Sequence, residues 1–445
     1  MIIEAALDGE WLQYCYQIIL DIKMQDIINL FLSQHNYDIR ITKDARWIDQ
    51  KCTYDNINMI ADSVLEFING DIQKEFTIRD IWNSEYAQEN IQNIFLKPNP
   101  SNKSTREYDK YFSQPIKLLS YSGILNSIKI NNRYKFSVNN VELLKYIALR
   151  PTNALNFLIS YITKVLKDSE IYQDFDNLFK NQDMITYEKL KENFTNFTIE
   201  NTGINKPVEC GRIFSKVLNP LAFHLKKRGT ICGRLSDNLI TIQDLTYNRL
   251  NWRDELSGKS KNISRSEYLQ SSALIDTTPY SAYLVQKAKK DIRNYVQIHN
   301  GGYSEVVQST EMLLATQIHH IFTQSEYPEI AHYLENLIAL TANQHFLMAH
   351  PNNKTYIIDS DFQYICLIAK CTSIMKSLTE ENYGNSGNSF YSFENFKFVL
   401  NTGFKTNQFE NIDNFSDLIK KIDSMCQFNS VSKYAVLVKD NYPQV

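Results

Sequence analysis

The sequence predicts an α+β protein of several domains, largely helical in its N-terminal part, with a small strand–loop–strand–helix unit further on. Three observations predict this. Apolar residues recur at helical spacing through WLQYCYQIILDIKMQDIINLFLSQ and again from Thr77. The period changes to two around Asn131-Asn132, where Ile128, Ile130, Tyr134 and Phe136 alternate with polar residues. Five of the eight histidines, His319, His320, His332, His345 and His350, then fall within 32 residues in a pattern of short strands and a helix.

With 445 residues and 43% hydrophobic content, the chain can bury a core and divide into two or three domains. The net charge of −3 excludes a protein that is basic all over, so nucleic-acid binding must come from local patches. Seven cysteines without a CxxC pair argue against a disulfide framework and a structural zinc knuckle. The start, MIIEAALDGEW, is acidic where a signal peptide is positive, and no run reaches the ~20 apolar residues of a membrane helix. The expectation is a cytoplasmic protein with no membrane partner.

Residues 1–75 read as a helical N-terminal region. In 76–150, TIRDIWNSEYAQENIQNIF reads as one amphipathic helix and STREYDKYFSQPIKLLSYSGIL as a second that ends near Gly123. NSIKINNRYKFSV follows as a hairpin, since asparagine tolerates the positive φ of a tight turn. Helix, helix, hairpin is the order of a winged helix, and a helical domain with an incidental hairpin fits it too. Arg106, Lys110, Lys117, Lys129, Arg133 and Lys135 put charge on the second helix and the hairpin, making Lys117 and Arg133 candidate DNA contacts.

Residues 151–205 read as a helical connector around LNFLISYITKVL, and 206–300 as a basic DNA-contacting region. From Lys206 to Arg234, seven cations, Lys206, Arg212, Lys216, Lys226, Lys227, Arg228 and Arg234, face only Glu209. KKR before Gly229 is either a loop that brings backbone to a phosphate or a solvated turn. Arg249 and Arg253 flank Trp252, and Lys261 and Arg265 follow; arginines can read guanine edges, and they can also be structural ion pairs.

The unit at 301–360 carries the histidines. EMLLATQIHHI reads as a strand, FTQSEYPEIAHY as an irregular excursion, LENLIAL as a second strand and TANQHFLMAH as a short helix opened by a Thr341–Gln344 capping box. Neighbours on a strand point to opposite faces, so His319 and His320 cannot share one packing role. Residues 361–445 read as a mixed C-terminal region with a loop at NYGNSGNS, 382–389.

IHHI, Asn336 in ENLIAL and His345 in NQH resemble the HNH, or ββα-metal, nuclease motif over about 40 of the 445 residues. The resemblance implies that His319 and His345 bind one divalent metal, His320 is the general base and Asn336 orients the loop that aims it. The step of nine residues from Asn336 to His345 matches the family. Three features depart from it. Many members have aspartate where His319 stands, many carry paired cysteines for a structural zinc, and the third ligand is usually one turn beyond the helix histidine, where this chain has Met348 and Ala349. His350 lies five residues on, which turns it about 140° from His345 on a continuous α-helix. Because Pro351 biases His350 out of the helix, its ring can alternatively swing back to the metal. The resemblance implies hydrolysis of phosphodiester bonds to 5′-phosphate and 3′-hydroxyl ends, with Mg²⁺ as working ion and Mn²⁺, Ni²⁺ or Zn²⁺ also compatible with imidazole ligands.

The build resembles a bacterial type II restriction endonuclease, since no G-x-x-x-x-G-K-[ST] motif supports an ATP-dependent class. That reading implies double-stranded DNA as substrate, a homodimer on a two-fold target and a cognate DNA methyltransferase in the host. A homing or methylation-dependent HNH endonuclease is the nearest rival. A non-catalytic DNA-binding regulator is the alternative from another class.

Overall fold

The structure, a computed structural model, describes residues 25–95, 105–131, 133–247, 278–308, 313–350, 358–379, 390–426 and 434–443. It is mixed α+β and mostly helical, with two-stranded antiparallel sheets. Two units separate, Gln25–Ile275 and a second containing Asp276–Val445. The readings on residues 1–24, Asn132, Arg249, Trp252, Arg253, Lys261, Arg265, Pro351 and 382–389 lie outside the described residues, as does the side chain of Arg106. No described helix is long and apolar enough to cross a membrane.

In the unit Gln25–Ile275, α1 (Tyr54–Ile68), α2 (Ile78–Asn83), α3 (Glu85–Phe95) and α4 (Thr105–Tyr121) precede the hairpin of β1 (Leu125–Ile130) and β2 (Arg133–Val138). Then come α5 (Val141–Leu149), α6 (Pro151–Asp168), α7 (Tyr172–Asn181), α8 (Met184–Asn201) and α9 (Pro207–His224), and a hairpin of β3 (Arg228–Ile231) and β4 (Arg234–Leu239). The centre is α1, buried on nearly every face and packed on α4, α5 and α6. Its polar side chains serve neighbouring backbone: the Asn58 amide donates to Ile147 O at 2.8 Å and Ala148 O at 2.9 Å, carbonyls at the end of α5.

Several elements differ from the sequence reading for local reasons. The single helix expected from Thr77 is two, because Ser84 leaves the helical region (ψ 137°) and its hydroxyl accepts from Ala87 N while ending the first helix on Ile81 O. The hairpin forms with Asn131 at φ 48°, yet its apolar residues do not share a face. Register pairs Ile128 with Lys135 and Ile130 with Arg133, which leaves the two isoleucines 59% and 46% exposed, while Phe136 is buried. Phe76, just before α2, exchanges both backbone hydrogen bonds with Phe136 and adds a short third edge to the hairpin. At KKR, Lys226 takes the left-handed turn (φ 53°) that closes α9, so Gly229 is already inside β3. Its N–H donates to Ser236 Oγ, and a Cβ there would meet Asn219 Oδ1 at 2.6 Å. Gly229 therefore serves close packing, and its backbone is closed to a phosphate.

The second unit runs α10 (Thr278–His299), β5 (Gln317–His320), β6 (Leu337–Leu340), α11 (Ser360–Thr379), α12 (Phe393–Gly403), α13 (Phe415–Cys426) and α14 (Ala435–Asn441). LENLIAL is shorter as a strand than expected: Leu334–Asn336 is a 3₁₀ turn, and β6 is the apolar LIAL alone. All four of its residues are fully buried, and α10 packs on both strands. The outer edge of β6 is closed by Glu305, whose backbone N–H donates to Ala339 O at 2.9 Å and whose Oε2 accepts from Ala339 N at 2.7 Å. Its other oxygen meets the buried Lys370 Nζ from α11 at 2.6 Å, and Lys370 also donates to Tyr391 Oη at 3.0 Å.

A buried pair of this kind punishes removal of one partner more than replacement of both. Lys370→Met should lower unfolding stability by about 3–5 kcal/mol, because it strands the Glu305 carboxylate. The double variant Glu305→Gln/Lys370→Met should recover most of that loss in urea denaturation.

Candidate metal centre

Pairing of β5 with β6 sets where the histidine pair points: His319 is opposite Ile338 and His320 opposite Leu337. Alternation along the strand sends the two rings to different sides. His319 turns inward and is only 2% exposed. There its ring lies 5.3 Å from that of His345 and 4.9 Å from that of His350, and the latter two are 4.8 Å apart.

His345 and His350 come together through a local change of helix type. The capping box forms: Gln344 N donates to Thr341 Oγ1 at 3.1 Å, and Thr341 N donates to Gln344 Oε1 at 3.0 Å. The Gln344 amide is also held by Ser304 Oγ at 2.6 Å and by Val306 O at 3.0 Å. Beyond it the chain continues as a π-helical turn, Gln344–Ala349, where an α-helix was expected. Hydrogen bonding from i to i+5 widens the turn and brings the fifth residue back over the first, which an α-helix cannot do. His350 then leaves the turn in an extended conformation (φ −119°, ψ 91°), as a residue before proline must.

One nitrogen from each of His319, His345 and His350 lies within 4.8 Å of the others, so the cluster can hold a metal ion. A tetrahedral site with metal–nitrogen distances of about 2.0–2.1 Å sets its nitrogens about 3.4 Å apart, so small ring rotations close the cluster. Two further observations fit a cation. His319 Nε2 and His345 Nδ1 are buried without a hydrogen-bond partner among the described residues, although buried polar atoms are almost always paired. Two of the rings, His319 and His345, are also biased toward the neutral form that binds a metal. Burial, then the neighbouring imidazoles, keep His319 well below the ordinary histidine range. Burial, then His350 and Lys289, bring His345 to about 4.

His320 takes no part in the cluster. Its Nε2 donates to Ala331 O at 3.0 Å, since a carbonyl only accepts, and Nδ1 is left as the basic nitrogen. Burial and then the charge of Lys289 bring it to about 4, against the Ala331 hydrogen bond, which raises it. Ala331 is positioned by Asn336, which is fully buried. The Asn336 amide accepts from Phe322 N at 2.8 Å and donates to Phe322 O at 3.0 Å and Ile330 O at 3.3 Å, tying the start of the excursion to the turn that precedes Ala331.

A pocket of ≈ 460 Å³ opens onto all four histidines, with Ile318, Lys289, Thr323, Gln324 and Ser325 completing its wall. Sequence reasoning missed the last four. Lys289 belongs to the basic run KAKKDIR on α10, a signal that was present. Thr323, Gln324 and Ser325 carry none, because their place depends on how the excursion folds back. His332 packs its ring against Tyr333 at a tilt of 52° and lies outside the cluster.

The basic candidates fall into other groups, all in the unit Gln25–Ile275. Lys117 lies over the Tyr134 ring at 5.7 Å, with Arg133 exposed on the same hairpin. Lys226 and Arg234 are exposed, and Lys227 and Arg228 are half-buried, around β3–β4; Arg228 N is bound by Gln182. Compared with family models, with curated proteins and with solved structures, the chain has no match.

If His350 belongs to the metal centre, His350→Ala should weaken Mn²⁺ or Zn²⁺ binding about as much as His345→Ala, by roughly tenfold or more per lost ligand. Isothermal titration of the two variants reads this directly. Wild-type affinity in His350→Ala would remove it from the centre.

Proposed function

We propose that the chain is a metal-dependent DNA endonuclease of the HNH kind, acting as a type II restriction enzyme on double-stranded DNA. The observation that carries this reading is the pairing of two arrangements in one pocket. A three-imidazole cluster stands beside His320, whose Nε2 is occupied by Ala331 O under the Asn336 clamp. A phosphodiester needs both an activated water and a positive centre, and these residues supply the places for each.

His319, His345 and His350 would hold the divalent cation, Mg²⁺ or a softer ion such as Mn²⁺, Ni²⁺ or Zn²⁺. Once bound, that cation supplies Lewis-acid charge toward the phosphate and the departing 3′ oxygen. His320 Nδ1 takes the proton of the attacking water, and Ala331 O steadies the imidazolium through Nε2–H. Asn336 keeps Ala331 in place during that proton transfer. The ends produced are a 5′-phosphate and a 3′-hydroxyl. Duplex contacts are assigned to Lys117 on α4 and Arg133 on the wing-like hairpin, and to Lys226, Lys227, Arg228 and Arg234 around β3–β4. Cutting both strands of a two-fold target assigns the enzyme a homodimeric state on DNA, and protection of host DNA assigns it a cognate methyltransferase.

His320→Ala should lose nearly all metal-dependent nicking of plasmid DNA while DNA and metal binding persist. Removal of a general base costs about 10²–10⁴ in rate. Nicking by the variant at the wild-type rate would remove His320 from the mechanism, and no nicking by wild type with any of the four cations would end the nuclease reading.

A further inference from the structure

The pocket in front of the histidine cluster contains no Asp or Glu among the described residues that line it. Its only formal charge is positive, the half-buried Lys289 ammonium. Lys289 has no carboxylate within ion-pair distance among the described residues, whereas Lys287 on the same helix reaches Asp291 at 3.7 Å. Arg293, one turn on, adds to the positive field, and burial together with that charge presses the Lys289 pKa down. An ammonium facing a place suited to a divalent cation raises the cost of filling it, because like charges repel strongly in a partly desolvated pocket. Thr323 contributes a second uncommitted group: its Oγ1 is buried without a partner among the described residues and borders the same space. A cation and an ammonium across a pocket without carboxylates need an anion between them.

We propose that Lys289, with the Thr323 hydroxyl, is the anchor for a phosphate group lying against the three-histidine cluster, so that metal and phosphate bind this pocket cooperatively. The identification of the anion as a phosphodiester rests on the nuclease reading above; the charge balance does not. Cooperativity follows from linkage. An anion that cancels the repulsion from Lys289 raises metal affinity, and the metal raises affinity for the anion by the same factor. The Lys289 ammonium gives the anion a charge-assisted hydrogen bond, and the threonine hydroxyl gives a neutral one.

The test is calorimetric titration of the full-length chain with Mn²⁺ and with thymidine 3′,5′-bisphosphate, each alone and in the presence of the other. Wild type should bind the bisphosphate at least tenfold more tightly with Mn²⁺ present. Lys289→Gln should bind Mn²⁺ alone as tightly as wild type or more so, and should lose about tenfold to a hundredfold in bisphosphate affinity, the worth of one charge-assisted hydrogen bond. Lys289→Arg, which keeps the charge at the same position on α10, should restore most of it and guards against a folding defect in the glutamine variant. A merely structural Lys289 would weaken both ligands together, and that result overturns the proposal. So does wild-type bisphosphate affinity in Lys289→Gln, or no coupling between Mn²⁺ and bisphosphate in wild type. If the coupling appears but wild type does not cut DNA, the anchor stands and the nuclease reading falls; if DNA is cut equally by wild type and Lys289→Gln, the reverse holds.

Discussion

One buried amide holds the histidine region together. Asn336, at the end of the excursion between β5 and β6, closes it by three hydrogen bonds to the backbone of Phe322 at its start and Ile330 in its middle. Everything the loop carries depends on that closure: Ala331, which takes the His320 proton donor, and Thr323, which borders the pocket. A buried backbone group left without its partner costs about 1–3 kcal/mol, so an alternative loop path must find replacements for all three bonds.

The C-terminal residues, which read as a mixed region without a role, buttress this loop. Ser392 N, at the start of α12, donates to the fully buried Glu335 carboxylate at 2.8 Å, next to Asn336. The ring of Phe322 lies so close to Gly403, the last residue of α12, that any Cβ there would collide with it. Lys370 of α11 reaches back to Glu305 and through it to the edge of β6. The short hairpin is thus braced by helices that come later in the chain, which explains how two strands of four residues hold a defined geometry.

Much of this was legible in the sequence, and the parts that were not share a cause. The alternation of His319 and His320, the Thr341–Gln344 capping box and the β1–β2 hairpin are local signals, carried by spacing of one to four residues. The break at Ser84 was also local, yet the apolar periodicity runs straight through it and masks it. The faces of the hairpin depended on register, which a turn with an uncertain start leaves open. Lys289 and Thr323 meet the histidines only through tertiary packing, and the clamp function of Asn336 was reached through resemblance instead of spacing. The position of His350 is open to sequence because a spacing of five fixes a rotation only for a known helix type, and the chain is not α-helical there.

That turn has a consequence for how such sites are recognised. Removing one residue between His345 and His350 would convert the π turn to an ordinary α turn and leave the same two imidazoles on one face, four apart instead of five. The two spacings are therefore one arrangement written with or without an insertion, and a search that admits only the shorter spacing passes over the longer. A pair of histidines five apart, the second followed directly by proline, as His350 is by Pro351, marks the longer form.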